Sequence, residues 1–507
     1  MAFKDKKMKI NEKKKEKYLF SLLFLIIPFA FLGVYLLIAQ QSPSQYQLVF
    51  NDEIDYWIET SSFIKRGLFD QSAGYFGYSW NSHASLLYFG AHGFFSLLPY
   101  AILGSVIPWF QGSIVVINTL FISISLLGAY HLIGSAKKTF LALILLFTFY
   151  PFYLYYHTGM TETMIYAGSL FLAALFFTLF DKAAEKNEKL PLFFWIVVLY
   201  SVIRMSNIVF FIPAFLIEIV LLKRNVLPLF IKYALAVAFI LFVSLAFSAS
   251  YPWGFLSQLA QSNAKINLMA VHGFENLKIF FDLQRGHVFE ILPRLVYLTW
   301  LACLIIYLFI NRKRLDRTKN LFFLSQIFIL TGLLLINLMF YDIGSFRDLR
   351  VFSPVLFFSV LSTLFFQDTS VKKLIVFGIL IFVFLGLNVS VYKERNFIYE
   401  LFYEGRFSPK ASNSILKLVQ YTPDAKTRWE NTVYLDLRNY GTVNWENYEP
   451  GIGIMVVGAE EMDLFSSAET RPPAQAKYLI TAKPFNNKTY ELVHTEKGVS
   501  LYQKTSP

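Results

Sequence analysis

The stretch YLFSLLFLIIPFAFLGVYLLIAQ, residues 18–40, contains no charged side chain and directly follows a segment rich in lysine. A helix of this length, rising about 1.5 Å per residue, crosses the roughly 30 Å of hydrocarbon in a bilayer. The stretch is too long for the apolar part of a cleavable signal peptide, and many similar blocks follow it. It therefore predicts a transmembrane helix in a protein that has several more of them.

The composition of the whole chain agrees with a membrane protein. Of the 507 residues, 56% are hydrophobic and only 16% are charged, whereas a soluble chain carries about 25% charged residues. The net charge of +12 comes from residues 1–17 and from short loops between apolar blocks, which is the pattern of the positive-inside rule. Nucleic acid is therefore not expected as a partner. The single cysteine, Cys303, lies in an apolar block, so neither disulfides nor a cysteine metal site is expected.

Basic and acidic loops give the order and direction of the predicted spans. With residues 1–17 as a basic cytoplasmic tail, the acidic segment 41–110 is placed outside. Its apolar stretch, 88–109, is broken by glycine and proline and is predicted to lie in or dip into the outer interface. About eleven spans result. They are residues 18–40, 112–133, 139–156, 163–180, 191–203, 207–222, 227–248, 295–310, 321–341, 354–366 and 374–391.

A polar segment with short β-branched runs begins near residue 392. An odd number of spans puts this segment outside. The sequence thus predicts an all-α polytopic protein of the plasma (inner) membrane, with its transmembrane part at 18–391 and a small extracytoplasmic α/β domain at 392–507. Strands are expected at residues 432–437, 453–457, 477–481, 490–494 and 499–502. Outer loops are expected at residues 41–110, 157–162, 249–294 and 342–353.

Acidic residues are almost absent from the centres of the predicted spans and gather at their outer ends. A charge in hydrocarbon is costly, so ion-coupled carriers usually show their acids near the middle of the membrane. Acids at one face only favour chemistry at the membrane surface over transport, although a lipid flippase remains open.

The first acidic cluster is FNDEIDYW, residues 50–57. A carboxylate here can take the proton of an incoming hydroxyl, and a second acid can raise its pKa or hold a cation. On a helix Asp52 and Glu53 point in different directions, whereas Asp52 and Asp55 share a face. The alternatives are a solvated acidic loop and an N-cap for a helix that begins near Ile54.

The second cluster is YYHTGMTETM, residues 155–164, at the outer end of a predicted span. Glu162 is the only acid between residues 135 and 180, and His157 lies nearby. The alternative is a glutamate in the first turn of the next span, stabilised by the helix dipole.

The third cluster is FRDLR, residues 346–350. Arg347 and Arg350 are basic residues on the predicted outer side, where the charge rule disfavours them. Guanidinium groups that hold phosphate oxygens would explain this exception. Salt bridges to neighbouring aspartates, Arg347–Asp348 or Arg350–Asp342, are the alternative. Arg204, at the outer tip of the hairpin formed by 191–203 and 207–222, has the same character.

The histidines show no metal-ligand spacing. His83, His92, His272 and His287 are scattered through the predicted outer segments, without the pairing of a zinc helix. There is also no phosphate-binding glycine loop, no dinucleotide fingerprint and no serine-hydrolase elbow. We therefore expect no metal and no cofactor.

Four features occur in a fixed order along the chain. They are Asp52-Glu53 followed by Tyr56, HGFFSLLPYAILG (92–104), FYPFYLYYHTGMTET (149–163) and RDLRVFSP (347–354). In this order they resemble the GT-C superfamily of integral membrane glycosyltransferases, which includes protein O-mannosyltransferases and the lipid A aminoarabinose transferase. The chain departs from the common pattern of that superfamily in two places: the stretch 92–104 lacks the usual proline pair, and the second loop carries a lone glutamate. The resemblance is therefore at superfamily level.

The resemblance implies an inverting enzyme that moves a sugar from a polyprenyl-phosphate donor to a glycan, lipid or protein acceptor. It implies Asp52 as the catalytic carboxylate, Glu53 as its supporting partner and Glu162 as the acid of the second loop. Arg347 or Arg350 would contact the polyprenyl phosphate. Further candidates for contacts to the substrate are Asp55, Tyr56, His92, His157 and Arg204.

Two other classes of function remain open. A lipid-linked glycan flippase requires a polar pathway across the bilayer and forms no new glycosidic bond. A non-catalytic scaffold of the cell envelope requires no single acid. In all three cases membrane lipid is a partner.

Overall fold

The protein is described by a computed structural model of the chain. The residues described are 2–38, 46, 48, 51–67, 76–77, 94–156, 158–180, 188–246, 265–282, 288–340, 352–365, 376, 414–422, 431–436, 443–450, 452–456 and 477–505.

Long apolar helices make this a membrane-embedded protein. Among the described residues, six helices are long and apolar enough to cross a bilayer. Large hydrophobic side chains stay exposed along some of them, such as Leu19 at 63% and Leu235 at 65%, as expected for faces that contact lipid. The six are Lys14–Leu37, Ser113–Ile133, Glu162–Phe180, Val226–Ser244, Arg294–Asn311 and Arg317–Met339.

The described residues form the following α-helices in chain order. They are α1 (Ala2–Ile38), α2 (Asn51–Arg66), α3 (Phe94–Gly104), α4 (Ser113–Ile133), α5 (Ala136–Thr148), α6 (Tyr150–Tyr156), α7 (Glu162–Phe180), α8 (Leu190–Ile203), α9 (Phe211–Leu216), α10 (Val226–Ala246), α11 (Lys265–Phe281), α12 (Val288–Asn311), α13 (Arg317–Phe340) and α14 (Ser353–Leu364). A 3₁₀ segment, Met205–Phe210, precedes α9, and a π-helical turn, Ile217–Leu221, follows it.

The predicted number of about eleven spans is not confirmed. The expected span 139–156 consists of two helices, because α5 ends at Thr148 and α6 begins at Tyr150. Pro151 explains the break, since its ring lacks an N–H and would clash with the carbonyl four residues earlier. The α8, α9 and α14 segments are apolar but shorter than the six long helices. All residues of the last expected span, 374–391, except 376 lie outside the described residues.

The centre of the bundle is formed by α4 and α7, with α1 packed on α4 and α14 packed on α7. Glycines allow the closest approaches. A Cβ at Gly128 of α4 would lie 2.6 Å from the Phe171 ring of α7, and one at Gly168 would lie 2.4 Å from the Tyr200 ring of α8. Small residues at such crossings let helices pack tightly where no hydrophobic force drives them together in lipid.

The segment between α1 and α4 contains two helices. In α2, every residue from 53 to 63 is buried, so this acidic segment packs against the bundle. The 11 residues of α3 are too few for a crossing of roughly 30 Å. Residues 88–93 of the apolar stretch 88–109 lie outside the described residues, so its position at the interface stays a prediction.

A small sheet contains five strands from the C-terminal segment and one short strand from the segment between α2 and α3. The strands are β1 (Phe76–Gly77), β2 (Thr432–Asp436), β3 (Gly453–Val456), β4 (Tyr478–Thr481), β5 (Tyr490–Glu496) and β6 (Val499–Lys504). Their order in the sheet is β1-β3-β2-β4-β6-β5. The first four strands in this order are parallel, and the last two pairings are antiparallel. All five predicted strands are present, whereas β1, with only two residues, was not predicted.

Candidate functional site

Helix α2 carries the first acidic cluster, and most of its acids are buried. Asp52 and Glu53 occupy the first turn, where the helix dipole favours negative charge. Glu53 and Asp55 are 0% exposed and Glu59 is 1% exposed, whereas Asp52 is only half-buried. The alternative of a solvated acidic loop for residues 50–57 is therefore wrong for Glu53 and Asp55. The helix begins at Asn51, three residues before the start near Ile54 that the N-cap alternative assumed.

The carboxylate of Glu53 joins α2 to the second predicted cluster. Its Oε1 accepts a hydrogen bond from the Tyr46 hydroxyl at 2.5 Å and another from the Gly159 N–H at 2.7 Å. The Gly159 N–H also lies 3.0 Å from the Tyr46 oxygen. Because charge-assisted bonds of this kind are short and strong, the start of α2 is held against the loop that precedes Glu162.

Asn118 of α4 fixes the same loop from the other side. Its side-chain amide is fully buried and donates to the carbonyl oxygens of Thr158 at 3.2 Å and Met160 at 2.8 Å. Its Oδ1 accepts from the Tyr100 hydroxyl of α3 at 2.6 Å. A buried amide with its donors and acceptor satisfied holds its neighbours in one arrangement. One end of the bundle therefore contains α2, α3, the first turns of α4 and residues 158–160. We call it the α2 end.

Glu162 lies in the first turn of α7 and is 3% exposed. Its Oε1 is 3.9 Å from a guanidinium nitrogen of Arg204, whose side chain is 19% exposed. Burial, followed by the charge of Glu162, raises the pKa of the Tyr100 phenol well above its ordinary value. The structure thus brings Glu162 and Arg204 together. It also gives Arg204 a partner within the protein, which explains this cation without a phosphate.

Asp55 and Glu59 form a buried acid pair one turn apart on α2. Burial raises the pKa of Asp55 well above its ordinary value, and the charges of Glu59 and Asp52 and a hydrogen bond to Glu59 act in the same direction. Desolvation and like charges both disfavour the ionised form of a carboxyl. Asp55 therefore keeps its proton to higher pH than an exposed aspartate does. Asp52, which remains accessible, is better placed to take a proton from a substrate.

Residues of the C-terminal segment contact the middle and the C-terminal end of α2, from Trp57 to Arg66. The Trp57 indole N–H donates to the Phe110 carbonyl at 3.0 Å, and its ring meets Tyr448 edge-on. Ser62 shares a hydrogen bond of 3.3 Å with the Tyr448 hydroxyl. The Arg66 guanidinium lies 3.7 Å from the centre of the Tyr421 ring. The sheet-bearing segment therefore lies at the same end of the bundle as the acids.

Several predicted site residues cannot be placed. His92, His157, Arg347 and Arg350, together with the alternative partners Asp342 and Asp348, lie outside the described residues. Tyr56 is described and is 1% exposed, so its ring is part of the packing around α2. Within the described part of the chain, no group of three His, Cys, Asp or Glu side chains could hold a metal ion.

Glu218 contradicts the prediction that acids gather at one face only. It lies in the π-helical turn Ile217–Leu221, is 1% exposed and pairs with Arg224 at 2.6 Å. Arg317 contacts the same turn, because it donates to the Val220 carbonyl. This turn lies at the end of the bundle opposite α2. The sequence did not indicate a separate acidic site here, because Glu218 stands alone within an apolar block.

Sequence reasoning also missed three residues that shape the site, Tyr46, Tyr100 and Asn118. Asn118 offered one signal, since an amide within a mostly apolar helix needs buried partners. Tyr46 and Tyr100 offered none, because tyrosine is frequent throughout this chain.

Comparison with known proteins adds no relative. No protein-family model matches the chain, and no curated protein and no solved structure is significantly similar to it. The side chains gathered around α2 and residues 158–162 are therefore the guide to the function.

Proposed function

We propose that the protein is a membrane glycosyltransferase of the GT-C type, which moves a sugar from a polyprenyl-phosphate donor to a hydroxyl acceptor. The observation that carries the proposal is the hydrogen bond between Glu53 and the Gly159 N–H. It joins two acidic segments more than a hundred residues apart in the chain at one end of an apolar bundle. Substrates with a lipid tail and a polar head reach their reacting groups at such an end, because the tail stays in the bilayer.

Asp52 is the general base in this proposal. Of the acids on α2, Glu53 and Asp55 are fully buried, whereas Asp52 is half-buried and can reach a substrate. The acceptor oxygen attacks the anomeric carbon as its proton passes to Asp52. The bond from that carbon to the phosphate oxygen breaks, and polyprenyl phosphate leaves with the electron pair. Base catalysis of this kind is worth about 10²–10⁴ in rate.

Other groups hold the reactants. Glu53 keeps the first turn of α2 against residues 158–160 and so orients Asp52. Arg347 or Arg350 binds the phosphate of the donor, since a planar guanidinium matches two phosphate oxygens. Glu162 and its partner Arg204 line the same end of the bundle.

The α2 end is the extracytoplasmic end in this proposal. Basic residues support this orientation, because they accumulate at the opposite end of the helices. Lys14 lies at the start of the apolar part of α1, and Lys138 at the start of α5 donates to the Phe365 carbonyl just after α14. The N-terminus is then cytoplasmic, and the sheet-bearing domain lies outside the plasma (inner) membrane.

An assay of transfer tests the proposal. The purified full-length protein is incubated with a panel of polyprenyl-phosphate sugars and candidate acceptors, and new glycosidic products are measured by mass spectrometry. Asp52→Asn keeps the shape of the side chain and is expected to lower turnover at least about 100-fold. Asp316→Asn is the matched control, because Asp316 is 56% exposed and caps α13 at the opposite end.

The outcomes separate the three classes of function. Product formation that Asp52→Asn removes and Asp316→Asn retains supports the enzyme. Full turnover by Asp52→Asn contradicts the assigned base. Movement of the lipid-linked sugar across vesicles without a new bond would identify a flippase, and no effect of any single acid would leave a scaffold.

A further inference from the structure

A buried carboxylate with several cations lies at the end of the bundle opposite α2. Both oxygens of Glu218 are 3.2 Å from the Lys232 ammonium, and Oε2 also accepts from the Tyr233 hydroxyl at 2.8 Å. Arg224 reaches Oε1 at 2.6 Å. The turn that carries Glu218 is π-helical, with the Leu222 N–H donating to the Ile217 carbonyl. Such turns are rare in proteins, and those that occur often lie at functional sites.

Among the described residues, more cations lie at this turn than the single acid, Glu218, that Arg224 and Lys232 contact. Arg317 donates to the Val220 carbonyl at 2.6 Å, which brings a third cation to the same five residues. Lys223, exposed and in a left-handed conformation with φ 53°, adds a fourth. Glu218 offsets one of these four charges. Arg224 and Lys232 nevertheless stay 56% and 39% exposed, so they can bind a further anion.

The surface beside these cations is apolar and faces outward. Helix α10 begins at Val226, two residues after Arg224. Its side chains Leu227, Phe230 and Leu235 are 66%, 61% and 65% exposed. Exposed side chains of this type on a long apolar helix are in contact with acyl chains. An anion at the cations would thus lie at the point where a lipid-facing surface begins.

We propose that this turn is a binding site for an anionic phospholipid, with its phosphate at Arg224, Lys223 and Arg317 and its acyl chains along α10. Basic pockets between helices bind lipid head groups through the same combination of charge and hydrocarbon contact. A phospholipid fits better than a soluble anion, because the apolar surface of α10 would give a soluble anion nothing to contact. The site is independent of the α2 end, and its role is separate from sugar transfer.

Native mass spectrometry of the full-length protein in detergent measures the binding. Phosphatidylglycerol and phosphatidylcholine are titrated separately, and the fraction of protein with bound lipid is recorded. Each basic residue near a membrane surface contributes about fivefold in affinity. The double variant Lys223→Gln/Arg317→Gln is therefore expected to bind phosphatidylglycerol roughly 25-fold more weakly. The control Lys488→Gln/Lys497→Gln removes the same charge from the exposed turns of the sheet and is expected to change nothing.

Glu218→Gln provides a test in the opposite direction. Without the competing carboxylate, Arg224 and Lys232 become more available, and phosphatidylglycerol is expected to bind several-fold more tightly. The proposal is overturned if the Lys223/Arg317 double variant binds phosphatidylglycerol like the control, or if the wild-type protein binds phosphatidylcholine equally well. Displacement of the lipid by millimolar inorganic phosphate would also overturn it, since the acyl chains would then contribute nothing.

Discussion

The hydrogen bond between Tyr46 and Glu53 can be measured by removing the hydroxyl and the charge singly and together. Tyr46→Phe deletes the donor, and Glu53→Gln keeps an oxygen acceptor but removes its charge. The two atoms are 2.5 Å apart, and Tyr46 and Glu53 are 4% and 0% exposed. At this distance the bond is charge-assisted. The contact matters because the same carboxylate oxygen binds the Gly159 N–H.

The expected energies follow from this geometry. A hydrogen bond to a charged group contributes about 1.5–3 kcal/mol, whereas a neutral one contributes about 1 kcal/mol. Tyr46→Phe is therefore expected to destabilise the wild-type protein by about 2 kcal/mol and the Glu53→Gln variant by about 1 kcal/mol. The coupling energy of the double-mutant cycle is then about 1 kcal/mol. It reports the pair itself, since effects common to both backgrounds cancel.

Unfolding of the four proteins by sodium dodecyl sulfate in mixed micelles gives the required free energies. The exposed hydroxyl pair Thr495 and Ser500, 2.9 Å apart on the β5–β6 hairpin, is the matched control. Its cycle, Thr495→Val with Ser500→Ala, is expected to couple by less than about 0.3 kcal/mol. A Tyr46–Glu53 coupling no larger than that of the control would refute the charge-assisted bond and with it the role of Glu53 in holding α2.

Two further predictions concern the two ends of α2. Because the pKa of Asp55 is raised in the folded state, the unfolded protein loses this proton at lower pH than the folded protein does. The contribution of Asp55 to the free energy of unfolding is therefore full at low pH and is lost as the pH rises through the folded-state pKa. Asp55→Asn is therefore expected to raise the melting temperature more at pH 8 than at pH 4, and equal shifts at both would contradict the raised pKa. Arg66→Gln removes a cation that donates to the Pro450 carbonyl and lies 3.7 Å from the Tyr421 ring. This change is expected to speed hydrogen exchange in residues 443–450, while the change of its exposed neighbour, Lys65→Gln, leaves exchange unchanged.

The sequence predicted the helical membrane part well, because the property that defines a membrane span is local. An uncharged apolar block of sufficient length must satisfy its backbone within itself, and a helix is the simplest way to do so. The blocks at 112–133 and 163–180 correspond closely to α4 and α7. The count was less reliable where proline or unusual turns intervene, as at Pro151 and at the π-helical turn Ile217–Leu221.

The acids of α2 show where local information ends. Their spacing along the chain indicated that Asp52 and Asp55 share a helical face, but it could not show that Asp55 and Glu59 are buried. Burial depends on what packs against the helix, and here that includes Tyr448 and Tyr421, which are more than 350 residues away in the chain. The raised pKa of Asp55 is a consequence of this packing.

The sequence by itself thus predicted membrane insertion, the positions of the long helices and the candidate acids. Each of these depends on hydropathy or charge over a short stretch of residues. Only the tertiary structure decided which acids lose contact with water, that Glu53 meets Gly159, and that Glu162 pairs with Arg204. The physical reason is that a hydrogen bond or an ion pair depends on distance in space. That distance is set by the packing of α2, α4 and α7, which no single segment specifies.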